Sequence, residues 1–129
     1  MLDRAIRLRR PGPYQLQAAI ASLSAEDEVD WHEMVALYGR LAELTPSPVV
    51  ELNRAVAVAE AEGAASGLQL LDGLDADLGE YHLLHSARAD FLRRLDRPEE
   101  AAASYRRALE LAPNETERRY LARRLAELG

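Results

Sequence analysis

The sequence predicts an all-α protein built from antiparallel helical hairpins laid side by side and closed by a terminal helix. Three observations predict it. Alanine and leucine supply 45 of the 129 residues, whereas valine, isoleucine and threonine together supply 10. Unbranched side chains lose little rotamer freedom in a helix, and β-branched ones lose more. Helix breakers and capping residues recur at helix-length intervals, and part of the chain repeats itself after 34 residues.

The elements follow in order. Pro11-Gly12-Pro13 separates a short basic stretch, residues 3–10, from a helix expected over 14–24. Asp30 and Glu33 have the spacing of a capping box, which satisfies free N–H groups at a helix start. Met34, Val35, Leu37, Tyr38, Leu41 and Leu44 then fall on one helical face. Thr45-Pro46 ends that helix. Ser47-Pro48 opens the next, with proline in the first turn, where its missing N–H costs nothing. That helix is expected to reach Glu62, with Gly63 interrupting it. A shorter helix covers 65–74, and the stretch holding Gly73, Asp75, Asp77 and Gly79 reads as a loop. A long helix spans Glu80 to Leu95. Asp96 and Glu99 form a second box with Pro98 between them, opening a helix that ends near Leu111. Ala112-Pro113 breaks it. Asn114 and Glu117 form a third box ahead of a last helix to Leu128. The hairpins are therefore expected over 14–44, 48–74 and 80–111, with a capping helix over 114–128. The whole, 1–129, is one domain, and at this size it buries about two-thirds of its unfolded surface without staples.

Shifting the sequence by 34 places Arg54 on Arg88, Ala55 on Ala89, Val58 on Leu92, Gly67 on Ala101, Leu71 on Tyr105 and Gly79 on Pro113. Small residues let two helices approach, and a large one fills the gap beside them. This is the period and chemistry of tetratricopeptide repeats, which stack into a right-handed solenoid with a polar end cap. A non-repetitive helical bundle with coincident alanine spacing is the other reading of the pattern. First helices line the inner face of such a solenoid, a surface suited to an extended peptide or protein ligand.

Composition narrows the function. There is no cysteine, and the net charge is −6, which argues against general nucleic-acid binding. No apolar run approaches the roughly 20 residues of a membrane span, and no secretory leader is evident. A soluble, cytoplasmic protein is expected. All 16 bases are arginine; with so much alanine, a GC-rich genome accounts for this more simply than selection for bidentate anion contacts does. Residues 1–10 carry net +3, residues 11–80 net −11 and residues 81–129 net +2. An acidic face for a basic partner is one reading. Solvated helix surface with i,i+4 pairs such as Glu115–Arg119 and Arg123–Glu127 is the other.

Chemistry-bearing clusters are few. His82 and His85, three apart, can share a metal, but no cysteine or clear acidic partner supplies the further ligands. The alternative is that His85 packs between hairpins while His82 caps a helix or faces solvent. There is no HExxH, Gly-rich phosphate loop or GxSxG motif, and no catalytic residue, metal or cofactor is expected. Asn53 and Arg54 stand out among Val49, Val50, Leu52, Val56 and Val58, and Arg88 repeats Arg54. An asparagine on the inner face can clamp a ligand backbone, and an arginine stack can hold a carboxylate. The arginines can equally be structural, bonding helix carbonyls or an acid of a neighbouring repeat. Tyr14, Trp31 and Tyr38 are expected in the core between hairpins.

Several segments are more specific: Gly12 to Ala21, Asp30-Trp31 through Tyr38, Tyr81-His82-Leu83-Leu84-His85, Asn114 through Leu128 and, above all, Pro46-Ser47-Pro48-Val49-Val50-Glu51-Leu52-Asn53-Arg54-Ala55-Val56-Ala57. Together they resemble the C-terminal tetratricopeptide-like extension of a bacterial group of extracytoplasmic-function (ECF) RNA polymerase sigma factors, the group associated with YCII-like (DGPF) proteins. The resemblance implies a protein-interaction and regulatory role in transcription initiation. The implied partners are the sigma domains, RNA polymerase or a regulator. The promoter-recognition domains are missing from this sequence, so no promoter or other nucleic-acid binding by this chain alone is implied. Whether the chain is a fragment or a free-standing relative stays open, as does its oligomeric state. Asn53, Arg54, His82, His85 and Arg88 match the group and form the candidate partner-binding set. Ser24 stands where the group's pattern has histidine. A free-standing adaptor for a peptide or protein, unrelated to transcription, is the alternative.

Overall fold

The computed structural model describes residues 12–128; the basic stretch 3–10 lies outside them. Among the described residues eight α-helices follow one another: α1 Pro13–Ser24, α2 Trp31–Leu44, α3 Pro48–Glu62, α4 Ala64–Leu71, α5 Asp75–Leu78, α6 His82–Arg94, α7 Pro98–Leu111 and α8 Glu115–Glu127. A 3₁₀ turn, Asp72–Leu74, joins α4 to α5, and no strand occurs among the described residues.

Most starts use the residues expected. The Asp30 carboxylate accepts from the Glu33 N–H at 3.2 Å, and the Asn114 side-chain oxygen accepts from the Glu117 N–H at 2.9 Å. Ser47 occupies the cap position of α3 without a side-chain cap bond, so Pro48 carries that start.

The box expected at Asp96 and Glu99 does not form. Arg97 takes the cap position of α7, and Asp96 adopts φ 59°. The Asp96 N–H donates to the Arg93 carbonyl and the Arg97 N–H to the Leu92 carbonyl, each at 3.0 Å. Asp96 thus closes α6 in the left-handed position of a Schellman ending, where aspartate is among the few non-glycine residues tolerated.

The segment expected as a loop after Gly73 is the other departure. The 3₁₀ turn and α5 bury Leu74 and Leu78 in the core shared with α3, α4 and α6. Two leucines four apart drive one helical turn inward even among glycine and acids.

Packing is serial. Leu16, Ile20, Leu23, Met34, Leu37 and Leu41 join α1 to α2, with Ala57 of α3 sealing them. The second core joins α3, α4, α5 and α6 through Leu52, Leu71, Leu84 and Phe91. The third joins α6, α7 and α8 around Tyr105 and Leu121. Each fully buried leucine stabilises by about 1.5–3 kcal/mol. Trp31 and Tyr38 pack against the first core, but Tyr14 is 83% exposed. Two positions before Leu16, it points away from the Leu16–Ile20–Leu23 stripe. Leu44, at the end of α2, is likewise exposed.

The 34-residue pairs occupy matching places. Ala55 and Ala89 are both fully buried, as are Leu71 and Tyr105. Gly67, matching Ala101, is a point of close helix approach: a Cβ there would lie 2.7 Å from the Ala59 Cβ and 3.0 Å from both the Ala55 carbonyl oxygen and Phe91 Cε2. Gly63 joins α3 to α4 at φ 113°, a conformation glycine adopts without steric cost.

Candidate functional site

First helices of successive hairpins, α3 and α6, and the terminal helix α8 line one groove. Matching positions on α3 and α6 stand 34 apart: Val49 and Leu83, Asn53 and Ala87, Val56 and Asp90, Glu60 and Arg94, of which all but Val49 and Glu60 line the groove. On each helix they advance by three or four residues, one face of a helix.

The groove contains two adjoining hollows. One, about 250 Å³, lies between α3 and α6 over Leu52, Asn53, Val56, Ala87, Asp90 and Phe91. The other, about 620 Å³, lies between α6 and α8 and includes Thr116, Glu117, Arg119 and Arg123. Leu83, Ser86 and Tyr120 border both. Val56, Leu83 and Tyr120 are large apolar residues left partly open to solvent here, Leu83 at 39% and Tyr120 at 40%.

The charges of the first hollow are paired. Arg94 Nη2 donates to Glu60 Oε1 at 2.7 Å and lies 2.9 Å from Asp90 Oδ2. Arg93 donates to the other oxygen of Asp90. This hydrogen bond, foremost among its contacts, raises the Arg93 pKa. On α8 the Arg124 guanidinium lies 5.8 Å from the Tyr120 ring centroid and donates to Glu127 at 3.1 Å. Tyr120 first and Glu127 second raise its pKa. Glu127 therefore pairs with Arg124, not with Arg123 as the i,i+4 spacing predicts. Glu115 pairs with Arg119 at 3.6 Å.

Of the five residues singled out in the sequence, Asn53 lines the groove. Arg54 lies one residue, or 100° of helix, away. It is 3.8 Å from Glu51, and its Nε is enclosed beside Gly39 of α2, without a hydrogen-bond partner among the described residues. Arg88 donates to the Leu71 carbonyl at 3.5 Å and to Asp75 Oδ1 at 2.9 Å. Each arginine thus reaches the second helix of the preceding hairpin. His85 Nε2 donates to the Gly79 carbonyl at 2.8 Å. His82 meets Tyr81 edge-on and stands 3.9 Å from Glu117. Among the described residues no three histidines or carboxylates converge as a metal site.

Sequence reasoning missed Leu83, Ser86, Tyr120 and Arg123. The 34-residue shift carries the signal for the first, since it places Val49 on Leu83.

Comparison with known proteins agrees with the fold. Residues 82–115 match the tetratricopeptide repeat family. The first tetratricopeptide domain of Spaghetti (RPAP3), solved bound to the HSP90 peptide SRMEEVD, superposes with a TM-score of 0.73 at 24% identity, covering 90% of this chain and 89% of that one. The fold is tetratricopeptide-like. The first such domain of human RPAP3 gives 0.70, also at 24% identity, over 91% of this chain and 94% of that one. An uncharacterized protein of Rhizobium meliloti (strain 1021) is 45% identical over 133 residues, along the whole of this tetratricopeptide-like chain. The chain spans 31% of that relative's length. No helix among the described residues is long and apolar enough to cross a membrane.

Proposed function

We propose that the groove along α3, α6 and α8 receives an extended segment of a protein partner, and that the chain is the regulatory domain of an ECF-type sigma factor acting in the bacterial cytoplasm. The partner is then the sigma domains, RNA polymerase or a regulator. The continuous apolar floor of Val56, Leu83 and Tyr120, open to solvent beside Asn53, is the observation that carries the binding reading. The peptide complex of the structural neighbour supports it by analogy of fold. The regulatory reading rests on the sequence resemblance through Pro46–Ala57, and a relative about three times as long accords with it. The test is saturable binding of the purified chain to core RNA polymerase or to isolated sigma domains of the same bacterium, with loss in a Tyr120→Ala variant that melts normally. Binding to neither would overturn the sigma-factor reading.

A further inference from the structure

The large apolar residues left open to solvent among the described residues fall into two groups. Val56, Leu83 and Tyr120 lie in the groove. Tyr14, Leu44 and Val49 lie at the end of the fold where α1 and α3 begin and α2 closes. Leu44 is the most informative of these. It continues the stripe of Met34, Leu37 and Leu41, which is buried in the core shared with α1, yet it is 47% exposed. α1 holds 12 residues against 14 in α2, and its buried stripe starts only at Leu16. The cover over the α2 stripe therefore stops short of Leu44. The chain that would continue this cover is the segment entering α1 through Gly12, whose backbone is extended. Charge is open at the same end. Glu43, beside Leu44, and Asp72 and Asp77, where α4 gives way to α5, are exposed and have no cationic partner among the described residues. Arg40, one turn back from Glu43, does not pair with it. The neighbouring acids Asp75 and Glu80 are held by Arg88 and Arg107.

We propose that this end of the fold is a docking site for the chain's own basic segment, residues 2–10. Ile6 and Leu8 cover Leu44, and the arginines around them reach Glu43 and, farther along, Asp72 and Asp77. From Ile6 to Arg9 the segment alternates apolar and basic residues, the pattern of an extended chain with one apolar side. Pro11 favours extended backbone at Arg10. Leu8 stands five residues before Pro13, so an extended chain carries it up to about 17 Å. Packed helix axes lie about 8–10 Å apart, so Leu44 on α2 is within reach. Residues 1–10 carry net +3, residues 11–80 net −11 and residues 81–129 net +2, so charge favours this end over the C-terminal half. Long arginine side chains can lie along an apolar surface while their charged heads meet the flanking acids in water. The docking extends the first core by one layer and fixes the direction in which the chain enters the solenoid. It does not depend on the groove reading, since face, occupant and sign of charge all differ.

The test is limited trypsin digestion of the whole chain, read by mass spectrometry, with ¹⁵N NMR spectra of the same chains. Cleavage follows the population of the open form, and covering one half-exposed leucine shifts that population about fivefold. Cleavage after Arg7 and Arg9 is therefore expected to be about fivefold slower in the unaltered chain than in Leu44→Ser or Glu43→Arg. Both altered side chains are exposed, so both variants should keep the helical fold, which circular dichroism checks. An Ile6→Ser, Leu8→Ser double variant should shift the amides of Glu43 and Leu44 and leave those of Leu83 and Tyr120 in place. Equal cleavage in all three chains, or a double variant whose Glu43 and Leu44 amides do not move, would overturn the proposal. Protection that grows with protein concentration would overturn it too, because the site then belongs to a second copy.

Discussion

Glu60 and Arg94 stand one repeat apart in the sequence and meet at 2.7 Å between α3 and α6. Matching positions of successive repeats have become direct neighbours, as stacking requires. Both side chains are about one-third exposed, so the pair stabilises by at most about 1 kcal/mol. Glu60→Gln should lower the melting temperature by no more than about 3–5 °C. Glu60→Arg, which adds a cation beside Arg94, should lower it further. Equal melting of the two variants would show that the contact does not form.

Gly67 tests the close approach of α4. Alanine gains about 1 kcal/mol in helix propensity over glycine, but its Cβ meets the Ala59 Cβ, the Ala55 carbonyl oxygen and Phe91 together. Overpacking of this kind costs about 1–3 kcal/mol. Gly67→Ala should therefore melt earlier in calorimetry, and Gly67→Leu should melt much earlier. A stabilised Gly67→Ala would mean the helices lie farther apart.

Asp96 predicts the opposite sign. At φ 59° it closes α6 without a side-chain hydrogen bond among the described residues. Asp96→Gly should stabilise by about 0.5–1 kcal/mol, and Asp96→Val should destabilise by more than that. Chemical denaturation of the two variants checks both signs.

Tyr105 separates packing from polarity. Its ring is buried in the third core, and its hydroxyl is enclosed beside Arg93 without a hydrogen bond of normal geometry. Tyr105→Phe should leave stability unchanged or raise it by up to about 1 kcal/mol, whereas Tyr105→Ala should cost about 3–5 kcal/mol.

Burial raises the pKa of both Tyr38 and Tyr105. A raised folded value means that the folded chain holds its phenolic protons where the unfolded chain releases them. This contribution is complete below about pH 10 and is lost as pH rises through the folded values. The melting temperature should fall as pH rises above about 10, and the Tyr38→Phe, Tyr105→Phe pair should flatten that fall.

How much of this is legible in the sequence depends on the kind of signal. Asp30, Asn114, Pro48 and the alanines at 55, 89 and 101 act locally or repeat, so the helices and their serial order can be read. Asp96 is misleading because the end of one helix and the start of the next compete for the same residues, and the ending of α6 prevails. The loop expectation at 73–79 fails because glycines and acids mask the Leu74–Leu78 pair. The groove is harder still. Asn53 and Arg54 are adjacent in sequence but separated by 100° on the helix, so chemical interest alone does not place both on one face. Tyr120 and Arg123 lie on the capping helix, beyond the two central hairpins that the repeat pairs, and only three-dimensional stacking sets them beside Leu83.

Occupation of the groove face by a partner underlies the proposed function. Its most direct test is the affinity of an Asn53→Ala, Tyr120→Ala double variant for the partner, measured beside its melting temperature, with Arg106→Ala on α7 as control. The expected result is a loss of about tenfold or more in affinity, as for truncated anchor residues at an interface, with melting unchanged and the control binding normally. Full affinity in the double variant, or loss only in Arg106→Ala, would contradict the claim.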